Sequence, residues 1–197
     1  MNESFMIREQ SVHKVKTMRE LLSTQERLRI LGAVIFKRGQ VSVNETATQL
    51  ALSKGLVSKY LDLLAKTGMA KRHHRRFVMV ETSPLVKGIK ILLNLQRLPV
   101  SVFKKRPFIQ AAGLYGSCAK GENTEESDMD LWIRVGQAQE KEQAALSSEL
   151  NRRLGNAKVL FLPDGKLERL KKEDELFYHA LAFGSITFYG VSDALQL

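Results

Sequence analysis

Gly116-Ser117-Cys118-Ala119-Lys120-Gly121-Glu122, followed closely by Ser127-Asp128-Met129-Asp130-Leu131-Trp132-Ile133, decides how the second half of this chain is read. The short apolar run Ile109 to Tyr115 leads straight into the first segment, as a buried strand or the end of a helix. Small residues in the turn that follows let backbone approach a ligand closely. Its amides and the Ser117 hydroxyl can cradle phosphate oxygens at the start of a helix. Asp128 and Asp130 stand two apart in a strand-like run, so both carboxylates point to one face. That arrangement suits one divalent cation. Oxygen ligands favour Mg²⁺ or Mn²⁺, which would also bind triphosphate oxygens.

The rest of the composition bounds what such a site could be. Cys118 is the single cysteine and has no Cys or His at zinc-ligand spacing, so an internal disulfide and a zinc site are both excluded and a reducing compartment is expected. No apolar run approaches the length of a membrane span. Met1-Asn2-Glu3-Ser4 does not begin a secretory signal, and a cytoplasmic protein without a membrane partner is expected. The net charge of +10 is unevenly spread. Residues 1 to 107 carry 21 Lys+Arg against 7 Asp+Glu, and residues 108 to 197 carry 10 against 14, so the halves are +14 and −4. A basic half beside a mildly acidic one suggests two different partners, a polyanion for the first and a metal-bridged ligand for the second.

Upstream, Thr24 is placed to cap a first helix with Leu28, Leu31, Val34 and Ile35 at helical spacing. Asn44 can cap a short second helix, and Ser53 a third whose Val57, Tyr60, Leu61 and Leu64 share a face. Two strands, 69–72 and 76–80, then flank a basic turn. His73 and His74 are adjacent on a strand, where side chains face opposite ways, which disfavours a shared metal. Ser83-Pro84 starts a further helix with Leu85, Ile89, Leu92 and Leu93 as its apolar stripe, and Lys104-Lys105-Arg106 reads as an exposed linker or basic loop.

The first of these halves resembles, over roughly residues 24 to 82, the winged helix-turn-helix of many prokaryotic transcription regulators. The resemblance rests on Thr46-Ala47-Thr48-Gln49-Leu50-Ala51, Ser53 to Leu61 and Leu64 to Met69. It implies that the third helix enters the major groove of double-stranded DNA through Ser53, Lys54, Ser58 and Lys59. The wing, Lys71 to Arg76, would meet phosphate or a minor groove through Arg72, Arg75 and Arg76.

The Gly116–Glu122 and Ser127–Leu131 segments resemble, nearly position by position, the signature of the minimal nucleotidyltransferases of the DNA polymerase beta superfamily. The likeness extends over roughly residues 108 to 190, with Phe183 to Gly190 as the closing strand. The resemblance implies that Gly116 and Ser117 bind the triphosphate, with Lys120 beside them, and that Asp128 and Asp130 are catalytic and hold Mg²⁺. A third carboxylate for a second ion is expected early in a later strand. Here that strand is Lys158 to Leu162 and the matching position is Lys158, with Asp164 several residues on. Helices are expected over residues 139–153 and 168–183, and Trp132 belongs to the core.

The expected fold is α+β, a winged helix of three helices plus a β-hairpin followed by a small α/β domain with a mixed sheet. The expected domains are residues 1–82, a linker helix and basic loop over 83–107, and 108–197. The expected activity is transfer of a nucleoside monophosphate from a nucleoside triphosphate to a hydroxyl, with a protein partner among the acceptors and an antitoxin-like role by family analogy. The alternative is a DNA-binding regulator whose second domain binds nucleotide without turnover.

Overall fold

The computed structural model describes residues 18–191 and 195. The polar start at Met1 to Ser4 lies outside the described residues. Two compact units make up the chain, Met1–Val86 and Lys87–Leu197.

In the first unit, a helical segment at 18–22 precedes α1 (Gln25–Val34). Thr24 caps α1 in extended conformation, its side chain accepting the Arg27 N–H. β1 (Gln40–Ser42) runs directly into α2 (Val43–Leu50), and α3 (Lys54–Lys66) follows. Ser53 caps α3 as expected. The cap of α2 is Ser42, which accepts the Glu45 N–H, and Asn44 falls inside the first turn. The reason is β1. Pairing of Gln40, Val41 and Ser42 with Val78, Phe77 and Arg76 of β3 holds Ser42 extended, so the helix begins at Val43, two residues before the start that an Asn44 cap implies. β2 (Ala70–His73) and β3 (Arg76–Met79) form a hairpin whose turn places His74 at φ +52°, and the sheet order is β1-β3-β2.

Ile30, Leu31, Val34, Val57, Leu61, Leu64 and Phe77 are buried in this unit. Each such side chain contributes about 1.5–3 kcal/mol of transfer free energy. Tyr60 is also buried, and its hydroxyl donates to the Leu21 carbonyl at 3.0 Å, so its polar tip is satisfied.

α4 (Pro84–Arg97) follows, and Lys87 begins the second unit. The buried residues of α4 are Val86, Ile89, Lys90 and Asn94, whereas Leu85 and Leu92 are exposed. The apolar stripe expected from spacing is therefore rotated, because two polar side chains occupy buried positions. α5 (Val100–Lys104) stands where an exposed linker or basic loop was expected. Val102 and Phe103 of this helix are buried, whereas Lys104 and Lys105 of the basic stretch are exposed as expected.

β4 (Ile109–Leu114), α6 (Gly116–Lys120), β5 (Met129–Val135), α7 (Glu140–Leu154) and β6 (Ala157–Pro163) then alternate strand and helix. The helix expected over 168–183 is two, α8 (Lys166–Glu173) and α9 (Glu175–Gly184). Asp174 leaves helical geometry at φ −145° and caps α9 by accepting the Phe177 N–H. β7 (Ile186–Tyr189) closes a four-stranded sheet of order β6-β5-β4-β7. β4 pairs antiparallel with both β5 and β7, and β5 pairs parallel with β6, so the sheet is mixed as expected. A parallel pair needs a crossover, which α7 supplies.

One face of the sheet carries Leu114, Leu131 and Ile133 into a core with Phe103, Leu146 and Leu150. The other packs Trp132, Leu162, Leu167 and Leu181. Trp132 is fully buried and abuts Gly113, where an added Cβ would fall 2.2 Å from the indole. It is a core residue. No helix among the described residues is long and apolar enough to cross a membrane.

Glu149 on α7 joins Arg106 at 2.6 Å and Arg153 at 2.9 Å. The Arg106 hydrogen bond, then that from Arg153, holds its carboxyl below the ordinary value of 4.5. A depressed acid adds stability that is present above its unfolded value and is lost as pH falls through the folded one. Denaturant unfolding followed from pH 6 downward is expected to show stability falling below pH 4.5 more steeply in the wild type than in Glu149→Gln. Equal slopes would mean the triad adds nothing.

Candidate functional site

The sheet places the acidic segment. Asp128 immediately precedes β5 and Asp130 is its second residue, so only the latter lies on the strand. The parallel register sets Lys158 of β6 opposite Asp130, and the Lys158 Nζ lies 2.5 Å from the Asp128 Oδ2. Lys158 thus stands over the carboxylates, where a third acid was expected from the resemblance. Asp164 does not substitute for it. It follows the last residue of β6, six positions from Lys158, or roughly 20 Å of strand.

The turn before α6 brings backbone against this pair. Gly116 has φ +67°, and a Cβ there would lie 2.6 Å from the Asp130 Oδ2. Only glycine takes this conformation without strain while leaving the carboxylate room. The Tyr115 N–H donates to the Asp130 carbonyl at 3.0 Å, which ties the turn to the strand. Ser117 is half-buried at the second position of α6, and Lys120 is exposed at its end. The structure therefore brings Gly116, Asp128, Asp130 and Lys158 together, with Ser117 next in the chain.

Charge follows geometry here. Burial raises the Asp130 carboxyl above its ordinary value; Lys158 opposes this and the Asp128 charge reinforces it. The hydrogen bond to Asp128 holds the Lys158 ammonium above its ordinary value. Burial, with the Asp130 charge next, pushes the Cys118 thiol up to about 11. That thiol donates to the Asp128 carbonyl at 3.3 Å, and it is a buried structural group rather than a nucleophile.

Three further residues shape the site and are not evident from spacing. The loop between α6 and β5 is fastened to α4 from below. Lys90 Nζ donates to the Asn123 carbonyl at 2.7 Å, and Asn94 Nδ2 donates to the Cys118 carbonyl at 2.9 Å and to the Asn123 Oδ1 at 3.0 Å. Asn123 Nδ2 returns a bond to the Asn94 Oδ1 at 3.2 Å. All three side chains are buried. Lys90 and Asn94, four apart on α4, were a legible pair only if two polar residues were allowed on the buried face. Above this layer the Thr124 N–H donates to the Ser127 Oγ at 2.9 Å, which turns the chain toward Asp128.

A divalent cation fits this donor set once. Asp128 and Asp130 both neighbour Lys158, and the Asp130 carboxyl is raised by burial and by the Asp128 charge, which a cation would offset. The Lys158 ammonium is paired with Asp128 itself, and no group of three or more His, Cys, Asp or Glu side chains gathers among the described residues to hold a second cation.

In the first unit, Ser58, Arg72, Arg75 and Arg76 line one hollow of about 420 Å³ with Ser42 and Asn44. Arg72 pairs with Asp62 at 3.0 Å, and Arg76 reaches Glu45 at 4.0 Å. Lys54 and Lys59 are exposed on α3 outside this hollow, and Ser53 is engaged in capping.

Residues 100–179 match the family Polymerase beta, Nucleotidyltransferase, and this stretch contains Gly116, Ser117, Asp128, Asp130 and Lys158. Among solved structures, a toxin-antitoxin with AMP-PNP aligns at 15% identity and a TM-score of 0.39, over 52% of this chain and 78% of its own. The tri-AMPylated Shewanella oneidensis HEPN toxin in complex with MNT antitoxin aligns at 14% identity and a TM-score of 0.34, over 51% of this chain and 73% of that one. A nucleotidyltransferase candidate from Sulfolobus solfataricus aligns at 18% identity and a TM-score of 0.36, over 52% and 85%. No curated protein matches the chain.

Proposed function

We propose that the second unit transfers a nucleoside monophosphate from a nucleoside triphosphate to an acceptor hydroxyl. The observation that carries this is the meeting of Gly116, Asp128 and Asp130 within a stretch that matches a nucleotidyltransferase family. Asp128 and Asp130 would hold one Mg²⁺ or Mn²⁺. Such an ion neutralises developing phosphate charge and orients the triphosphate. The left-handed turn at Gly116 lets backbone approach the phosphates, Ser117 adds a hydroxyl donor, and Lys120 adds a point charge at the end of α6. Lys90, Asn94 and Asn123 keep the loop rigid so that the carboxylates are preorganised. In the reaction the acceptor oxygen forms a bond to the α-phosphorus, the bond to the bridging oxygen breaks, pyrophosphate leaves, and the hydroxyl proton passes to solvent. A protein partner with an exposed hydroxyl is the acceptor this reading favours.

The first unit, in this proposal, is a winged helix that recruits the enzyme to double-stranded DNA. α3 would present Lys54, Ser58 and Lys59, and the hairpin Arg72, Arg75 and Arg76. Its support is the order of three helices and a hairpin, and the clustering of Ser58 with three arginines. Arg75→Ala with Arg76→Ala is expected to weaken duplex binding on any sequence and to lower the magnitude of the salt slope by about 1 per lost phosphate contact. Unchanged affinity, measured by anisotropy at several salt concentrations, would remove DNA from the partners.

A second reading has one observation in its favour. The Lys158 ammonium bonded to Asp128 suits a domain that binds nucleotide without turnover, leaving a DNA-binding regulator. Incubation with each nucleoside triphosphate labelled on the α-phosphate, with Mg²⁺ and cell extract, separates the two. Label retained on a macromolecule supports transfer. Binding without transfer of label would favour the regulator.

A further inference from the structure

Lys158 is the unusual member of the site, and its chemistry goes further than the loss of an acid. Its Nζ lies 2.5 Å from the Asp128 Oδ2, and by register it is the neighbour of Asp130. The side chain is nevertheless 69% exposed, and that of Asp128 32%. An ion pair whose lysine is this exposed is worth little, so an arriving divalent cation can take Asp128 without a large cost. The ammonium is then left on a flexible stem beside the same carboxylates, with nowhere better to go than the incoming phosphates. A lysine there carries a fixed positive charge where a freely exchanging ion would need further oxygen ligands that the described residues do not gather.

We propose that Lys158 is a nucleotide-binding residue whose ammonium stands in for a second cation, so that this site takes a triphosphate with one divalent ion and one tethered positive charge. The proposal rests on the nucleotide site proposed above and adds its cation stoichiometry and a phosphate ligand. Before nucleotide arrives, Lys158 guards Asp128. After a divalent ion binds, Lys158 turns to the phosphate oxygens as a charged hydrogen-bond donor. The exchange moves no atoms between molecules and needs no co-reactant.

Equilibrium dialysis of the full chain with Mn²⁺ and an α,β-methylene nucleoside triphosphate tests this without requiring turnover. The wild type is expected to hold one Mn²⁺ per chain with bound nucleotide, and Lys158→Asp two. Lys158→Ala is expected to keep one Mn²⁺ and to lose about tenfold in nucleotide affinity, the value of one charge-assisted contact. Should Lys158→Asp fail to fold because three acids crowd together, the alanine variant still decides, since its side chain leaves an exposed position. Two Mn²⁺ on the nucleotide-bound wild type, or unchanged affinity in Lys158→Ala, would overturn the role of Lys158 and leave the nucleotide site standing. A wild type that takes up neither Mn²⁺ nor nucleotide would overturn both.

Discussion

Asp128→Asn combined with Asp130→Asn is expected to lower Mg-dependent nucleotide affinity by about two orders of magnitude or more, and to abolish label transfer, with little loss of stability. Each carboxylate would contribute a charged contact to the ion, and such contacts are worth about 1.5–3 kcal/mol apiece. The fold has less at stake. The Asp128 pair has an exposed lysine and a half-buried acid, and an ion pair open to solvent in this way contributes little to stability. Asp130 is a partly buried acid held above its ordinary value, and asparagine removes that desolvated charge while matching its shape. Calorimetric titration with Mg²⁺ and nucleotide measures the affinity, and a urea melt checks the fold. A double variant that binds as the wild type does would remove the carboxylates from the site.

The largest structural effect is expected at Gly121. It closes α6 at φ +67°, and a Cβ there would lie 2.2 Å from the Lys87 carbonyl oxygen of α4. Backbone, unlike the tip of a side chain, cannot step aside. Gly121→Ala combines a left-handed conformation, about 1–2 kcal/mol, with an overlap worth about 1–3 kcal/mol that is relieved only by lifting the loop from α4. Lifting it also strains the bonds from Lys90 and Asn94 to Asn123, so the loss is expected to reach about 3–5 kcal/mol in a denaturant melt. A loss below about 1 kcal/mol would mean that the loop is not fastened to α4 in this way.

What the sequence conveys about this molecule divides along physical lines. Thr24 and Ser53 are legible as caps because the signal is local, a short oxygen-bearing side chain before an apolar helical face. Ser42 is not, because it depends on the pairing of Val41 with Phe77, thirty-six residues away by number. Asp174 divides the helix expected over 168–183, because its side chain offers the backbone a cap that spacing alone does not weigh. The mixed sheet is what the family resemblance implies, since alternating strands and helices alone point to parallel pairing, and β4, β5 and β6 each lie near the expected position.

The candidate site shows the same division. Gly116, Asp128 and Asp130 announce themselves by residue type and interval, and the structure brings them together. The pattern of Leu85 and Leu92 misleads, since both are exposed while Lys90 and Asn94 are buried beneath the loop. A buried ammonium and amide satisfy carbonyls that hydrophobic spacing knows nothing about. Asp164 looks available in the sequence and is out of reach, because strand length sets it at the wrong end of β6.

Thermal melting of the wild type with Mg²⁺ and each nucleoside triphosphate in turn, with Mg²⁺ alone, and with nucleotide alone, tests most directly whether this is a metal–nucleotide site. At about 100 times its dissociation constant a ligand adds about 2.7 kcal/mol, which raises the midpoint by roughly 2 to 4 °C per kcal/mol at this size. The expected result is a rise of several degrees with at least one nucleotide, requiring Mg²⁺ or Mn²⁺, and absent when Asp128 and Asp130 are asparagine. No rise with any nucleotide, or a rise that persists in the double variant, would contradict the assignment of this segment as the site.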